Sequence, residues 1–178
     1  MEVMVFKSFG HVETFKYVVW IQSSGESVKF KCAGISDSMI DAPGKIGLNV
    51  FFQGCSLGCP GCQNPELQDD NGGFDADTDD VIEVLRRFEG FYEAVIFVGG
   101  EPLQQPDALK EIAEGSKLYN VLYTGWLFED IPEDIRDLMR MVIDGPYIRD
   151  LEDGGFPASS NQKVWKRDKN GIDWKSDN

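Results

Sequence analysis

Apolar and polar positions alternate at the start of the chain and then change period. Phe15 to Ile21 is rich in aromatic and β-branched residues, Ser23-Ser24-Gly25 reads as a turn, and Val28 to Cys32 reads as a second strand. In that strand Val28, Phe30 and Cys32 share one face and Lys29 and Lys31 the other, because side chains alternate. Cys32 is therefore expected in the core. From Ile46 the pattern becomes strands alternating with helices, beginning with the apolar run Gly47 to Phe52.

A helix is predicted from Thr78 to Glu89, where Val81, Ile82, Leu85 and Phe88 form one stripe and Gly90 follows as a stop. Acids open it and Arg86 and Arg87 close it, as the helix dipole favours. The wholly apolar Ala94 to Val98 predicts a strand buried on both faces, ending in Gly99-Gly100-Glu101-Pro102. Pro106 starts a further helix that ends at Gly115, and a strand follows around Leu118 to Tyr123. Pro132 to Arg140 is helical by the same test, and Met141 to Ile143 is a short strand before Asp144-Gly145-Pro146. This rhythm predicts right-handed parallel crossovers. A complete eight-unit barrel takes about 250 residues, so a chain of 178 residues has room for an incomplete barrel or an open sheet.

The expected organisation is an N-terminal β-rich extension over 1–40, a partial barrel over 41–165 and a polar tail over 166–178. The net charge of −14 repels phosphate backbones and anionic membranes, so neither nucleic acid nor membrane is expected as a partner. With no long apolar run and no signal-peptide pattern at Met1 to Lys7, a cytoplasmic location is expected. Asp75, Asp77 and Asp79 match the start of a calcium loop, but Asp80 replaces the turn glycine and Arg86 the final glutamate. The cluster reads instead as a solvated helix cap.

The candidate chemistry lies in the cysteines. Cys55, Cys59 and Cys62 form a C-x3-C-x2-C loop after the predicted strand Gly47 to Phe52, with Gly54, Gly58 and Gly61 between them. Clustered thiols outside a disulfide framework read as metal or redox groups. Three thiolates hold three corners of a cubane iron-sulfur cluster and leave one iron open to a substrate. The competing reading is structural zinc, with Cys32 or His11 as fourth ligand. Thr124 and Asp144 sit at predicted strand ends, where they either reach a ligand or make local turn bonds.

The cysteine loop, followed by Gly99-Gly100-Glu101-Pro102, resembles the radical S-adenosylmethionine (SAM) enzymes, which have an incomplete or full (β/α) barrel. The resemblance implies a 4Fe-4S cluster on Cys55, Cys59 and Cys62, and SAM bound beside Gly99, Gly100, Glu101 and Pro102, with Thr124 as a further contact. More narrowly, Cys59 to Asn64, Tyr123-Thr124-Gly125, Asp144 to Ile148 and Ser159 to Gln162 resemble the activating proteins of anaerobic ribonucleoside-triphosphate reductase. That likeness implies reductive cleavage of SAM and abstraction of a glycine hydrogen on the large reductase subunit. It also implies an electron donor such as flavodoxin or ferredoxin. The alternatives are a small-molecule radical SAM enzyme of the deazapurine synthase type and a zinc-binding module without catalysis.

Overall fold

The computed structural model describes residues 27–168 and 173–177. The predicted strand at Phe15 to Ile21, the turn after it and His11 lie outside the described residues.

Among the described residues eight strands form one open sheet. Its centre is the predicted alternation: β2 (Gly47–Phe52), β4 (Ala94–Gly99), β5 (Tyr119–Tyr123) and β6 (Met141–Asp144) pair in parallel, in that order. The crossovers carry α1 (Thr78–Arg87), α2 (Pro106–Ser116) and α3 (Glu133–Leu138). Antiparallel strands extend both sides. β1 (Lys29–Ser38) lies between β2 and β3 (Phe74–Asp77), while β7 (Lys163–Arg167) pairs with β6 and carries β8 (Trp174–Asp177) at the far edge. Among the described residues the sheet does not close, so the architecture is the incomplete barrel.

The flanks are joined to the same sheet. The described part of the N-terminal extension forms β1, which is paired on both sides. Lys166 and Arg167 complete β7 and Trp174 begins β8, where its ring packs edge-on against Phe128, 5.1 Å between centroids. The polar composition of this segment hides a two-stranded edge in which Arg167 packs over the Trp174 ring and pairs with Asp137.

The period-3.6 stripes bury their apolar faces, except that α1 stops at Arg87 and Phe88, predicted in its stripe, is 41% exposed. Val81 and Leu85 of α1, Leu109 and Ile112 of α2 and Ile135 of α3 pack onto Val50, Phe52, Val95, Phe97, Leu122 and Val142. Each such side chain removed from water contributes about 1.5–3 kcal/mol before the entropy of ordering it. The opposite face holds a smaller set: Ala94, Ile96, Val121, Met141, Ile143 and Val164, with Ala42 of the β1–β2 loop against them. That loop is fastened where the Tyr123 hydroxyl donates to the Asp41 carbonyl at 2.8 Å and the Asn49 amide to the Asp41 carboxylate at 2.8 Å. The acidic cluster before α1 acts as a cap: the Asp77 N–H donates to the Asp80 carboxylate at 3.4 Å. Asp75 faces Lys31 across the β1–β3 pair at 3.0 Å.

Candidate functional site

Because β2, β4, β5 and β6 run parallel, the loops after all four open on one edge of the sheet. They carry, in turn, the cysteine loop, Gly99 to Pro102, Thr124-Gly125 and Asp144-Gly145. A parallel sheet builds its ligand sites in this place.

The first two loops are joined backbone to backbone. The Gly100 N–H donates to the Phe52 carbonyl at 2.8 Å, and the Glu101 N–H donates to the Gly54 carbonyl at 2.8 Å. The approach leaves no room for a side chain: a Cβ on Gly100 would overlap the Gly54 carbonyl oxygen and lie 2.7 Å from its carbon and 2.9 Å from the Leu67 oxygen. From behind, the Gly54 N–H reaches the Leu67 carbonyl at 2.8 Å and the Cys55 N–H the Gln68 carbonyl at 3.2 Å. The loop itself turns at Gly54, Gly58 and Gly61, all at positive φ, and the Cys62 N–H closes its last turn onto the Cys59 carbonyl at 3.1 Å. Ser56 is bonded by the Gln104 amide from the short 3-10 turn Pro102–Gln104.

Glu101 joins the second loop to the third. Its side chain is 1% exposed, and its carboxylate accepts from the Leu103 N–H at 3.0 Å, the Thr124 hydroxyl at 2.8 Å and the Gly125 N–H at 3.0 Å. Burial raises its pKa from the ordinary glutamate value, against the lowering effect of these three donors. Thr124 therefore spends its proton on Glu101, and its oxygen accepts from the Trp126 N–H at 3.1 Å. The Leu57 side chain lies over Gly125, so the cysteine loop touches the β5 turn as well. Glu101 is close enough to Cys55 to raise that thiol's pKa, although burial is the larger cause.

At the fourth loop, Asp144 makes neither a turn bond nor an open contact but ties β6 to the segment after β5 and to the start of β7. It is 3% exposed and accepts from the Phe128 N–H at 2.8 Å and the Lys163 N–H at 3.3 Å. Ser159 to Gln162, which carries a resemblance without a visible task in the sequence, buttresses the turn after β6. Gln162 donates to the Gly145 carbonyl at 3.1 Å, Asn161 to the Pro146 carbonyl at 2.8 Å, and Ser159 accepts from the Ile148 N–H at 3.3 Å. The partners lie 11 to 17 residues apart, so periodicity gives no sign of them. Arg149 is the residue the sequence reading passed over. Its guanidinium donates to the Gly61 carbonyl inside the cysteine loop at 3.0 Å, across 88 residues of chain.

The donor set fits an iron-sulfur cluster. Cys55, Cys59 and Cys62 are free, partly exposed thiols on one glycine-hinged loop. No three or more His, Cys, Asp or Glu side chains gather to hold a metal ion among the described residues. A zinc site needs ligands about 2–2.3 Å from one point, whereas each thiolate of a cubane takes its own iron. Cys32 is not a candidate fourth ligand. It is 2% exposed in the core, its thiol contacts the Gly34 carbonyl at 3.5 Å, and burial pushes its pKa up to about 12.

Comparison with known proteins agrees with this chemistry. The family described as "4Fe-4S single cluster domain" matches residues 40–165. The pyruvate formate-lyase-activating enzyme of Clostridium pasteurianum is 30% identical over 129 residues, covering 68% of this chain and 52% of that protein. A 7-carboxy-7-deazaguanine synthase of Methanospirillum hungatei is 32% identical over 122 residues, 64% of this chain and 50% of the relative. The chain thus spans about half the length of these curated relatives. Among solved structures, QueE from Escherichia coli superposes with a TM-score of 0.51 at 16% identity, over 74% of this chain and 65% of that one. No helix among the described residues is long and apolar enough to cross a membrane. With its thiol loop, its Gly-Gly-Glu-Pro turn and the open parallel sheet that brings them together, the chain belongs to the 4Fe-4S single cluster domain family within the radical SAM superfamily, whose cofactors are a 4Fe-4S cluster and S-adenosylmethionine.

Proposed function

We propose that the chain is an activating enzyme that generates a glycyl radical on a partner protein, and that this partner is the large subunit of an anaerobic ribonucleotide reductase. The observation that carries the choice of a protein substrate is the set of exposed apolar side chains on the loops of the open edge. Leu57, Leu127, Ile148, Leu151 and Phe156, from the loops after β2, β5 and β6, are each 40–48% exposed. Exposed apolar groups on the loops that carry a site mark a surface that another macromolecule covers. An activating enzyme needs such a surface, because its substrate is a loop of folded protein. The similarity to a pyruvate formate-lyase-activating enzyme supports the same reaction class.

In this reading Cys55, Cys59 and Cys62 hold the cluster, and the backbone of Gly99, Gly100, Glu101 and Pro102 lines the methionine end of SAM. Held there and supplied with electrons by a carrier of the flavodoxin or ferredoxin type, the cluster and SAM would provide the one-electron chemistry needed to take hydrogen from carbon. The protein's share is placement. Gly100 lets the two binding loops meet without a side chain between them, and Glu101 with Thr124 fixes the second loop against the third. The exposed apolar side chains exclude water when the partner docks.

The deazapurine synthase reading has its own support in the Methanospirillum relative and the QueE-like fold. The two separate in one anaerobic experiment: the reconstituted protein is given reductant and SAM with either purified reductase or a pterin-like carboxylate. An activating enzyme yields a glycyl-radical EPR signal on the reductase and leaves the pterin unchanged. Turnover of the pterin without a radical on the reductase would overturn the proposal.

A further inference from the structure

Arg149 approaches the cysteine loop from the strand furthest from it in the parallel set. It opens the short 3-10 turn Arg149–Leu151 that follows β6. Its Nη2 donates to the Gly61 carbonyl at 3.0 Å. Gly61 is at φ +76, and a Cβ there would lie 2.7 Å from Arg149 Nε, 3.0 Å from its Cβ and 3.1 Å from its Cζ. The guanidinium therefore rests against the turn between Cys59 and Cys62, in space that only glycine leaves.

The backbone that presents Arg149 is itself fixed. Ser159 accepts from the Ile148 N–H at 3.3 Å, and the Ser160 N–H donates to the Leu151 carbonyl at 2.9 Å, on either side of the arginine. A second strap runs beside it, where Gln63 donates to the Glu152 carboxylate at 3.4 Å and the Tyr147 hydroxyl donates to the same group at 2.8 Å. No ion pair joins Arg149 to a carboxylate among the described residues. The guanidinium lies beside the Tyr147 hydroxyl, which carries the neighbouring Glu152 carboxylate.

We propose that Arg149 is a positioning residue for the iron-sulfur centre: it holds the Cys59–Cys62 turn and, by its charge, makes the cluster easier to reduce. The inference rests on the cluster reading of the three cysteines and is independent of which partner the enzyme serves. Adding one electron to a thiolate-bound cluster adds one negative charge. A guanidinium against the ligand loop favours the reduced form, since cluster potentials follow net charge and hydrogen bonding around the sulfurs.

The test is an anaerobic redox titration of the reconstituted wild type, R149Q and R149K, reading the EPR signal of the reduced cluster without SAM or partner. At the wild-type midpoint, R149Q should show about a fourfold lower ratio of reduced to oxidised cluster, the scale of one charge acting across several ångströms near a surface. R149K keeps the charge and should stay within about twofold of wild type on the same scale. Iron content per chain and thermal unfolding, measured alongside, establish that each variant is folded and loaded. A titration of R149Q that overlays the wild type would overturn the proposal. So would an R149K curve displaced as far as that of R149Q, because the effect would then be geometry and not charge. A wild type that binds no cluster would overturn the underlying reading as well.

Discussion

Replacing Thr124 by valine removes one hydroxyl and almost no volume, and it tests whether the β4 and β5 turns are held together through Glu101. Two bonds disappear. The first is the donation to the Glu101 carboxylate at 2.8 Å, in a group that is 1% exposed; hydrogen bonds to charged groups contribute about 1.5–3 kcal/mol. The second is the acceptor for the Trp126 N–H at 3.1 Å, a partly buried donor whose loss adds about 1 kcal/mol. The sum is about 2.5–4 kcal/mol. At roughly 2–4 °C per kcal/mol for a domain of this size, Tm should fall by about 5–16 °C. Thermal unfolding of the apo protein under anaerobic conditions, monitored by circular dichroism, reads the shift. T124S restores the hydroxyl and should recover all but about 1 kcal/mol. A T124V protein that melts with the wild type would refute the account of Thr124 as the tie between the two turns.

Gly100→Ala should weaken SAM binding and lower stability by about 1–3 kcal/mol, because its methyl meets fixed backbone of Gly54 and Leu67; Gly90→Ala, at φ +83 in open space away from the site, is the control that calorimetry should find intact in SAM affinity. Glu101 makes a pH prediction. Its folded pKa is raised, so its contribution to stability is fully present below the ordinary glutamate value and is lost as pH rises through the folded value. Urea unfolding across that window should show E101Q with a flatter dependence than wild type, and equal slopes would contradict the assignment. Cys32→Ala should keep the wild-type iron content while losing about 1–2 kcal/mol of stability from the core; loss of iron with the fold intact would make Cys32 a ligand after all.

The parts of this fold that were legible in the sequence are those whose signal is local. Ala94 to Val98 has no polar residue because both of its faces are covered, and α1 shows its stripe because one face alone is buried. β3 escaped notice because four residues, two of them acidic, read as a cap, and only the pairing of Lys31 with Asp75 across the β1–β3 ladder shows the strand. β7 and β8 were hidden because their residues are mostly polar, and Arg167 finds its partners in Asp137 and the Trp174 ring only once the chain is folded. At the site, the cysteine loop and the Gly-Gly-Glu-Pro turn were readable as motifs. What joins them was not. Thr124 to Glu101, Gln162 to Gly145 and Arg149 to Gly61 are contacts across 23, 17 and 88 residues, and nothing in the spacing of single residues encodes such pairs.

The central claim is that Cys55, Cys59 and Cys62 carry a cluster that cleaves SAM. It is tested most directly by reconstituting wild type and Cys59→Ala with iron and sulfide, adding reductant and SAM, and measuring 5′-deoxyadenosine by liquid chromatography, with and without purified reductase. The account predicts reductant-dependent product from the wild type and none from the variant under either condition. Equal product from both proteins, or tightly held zinc and no product from the wild type even with reductase present, would contradict it.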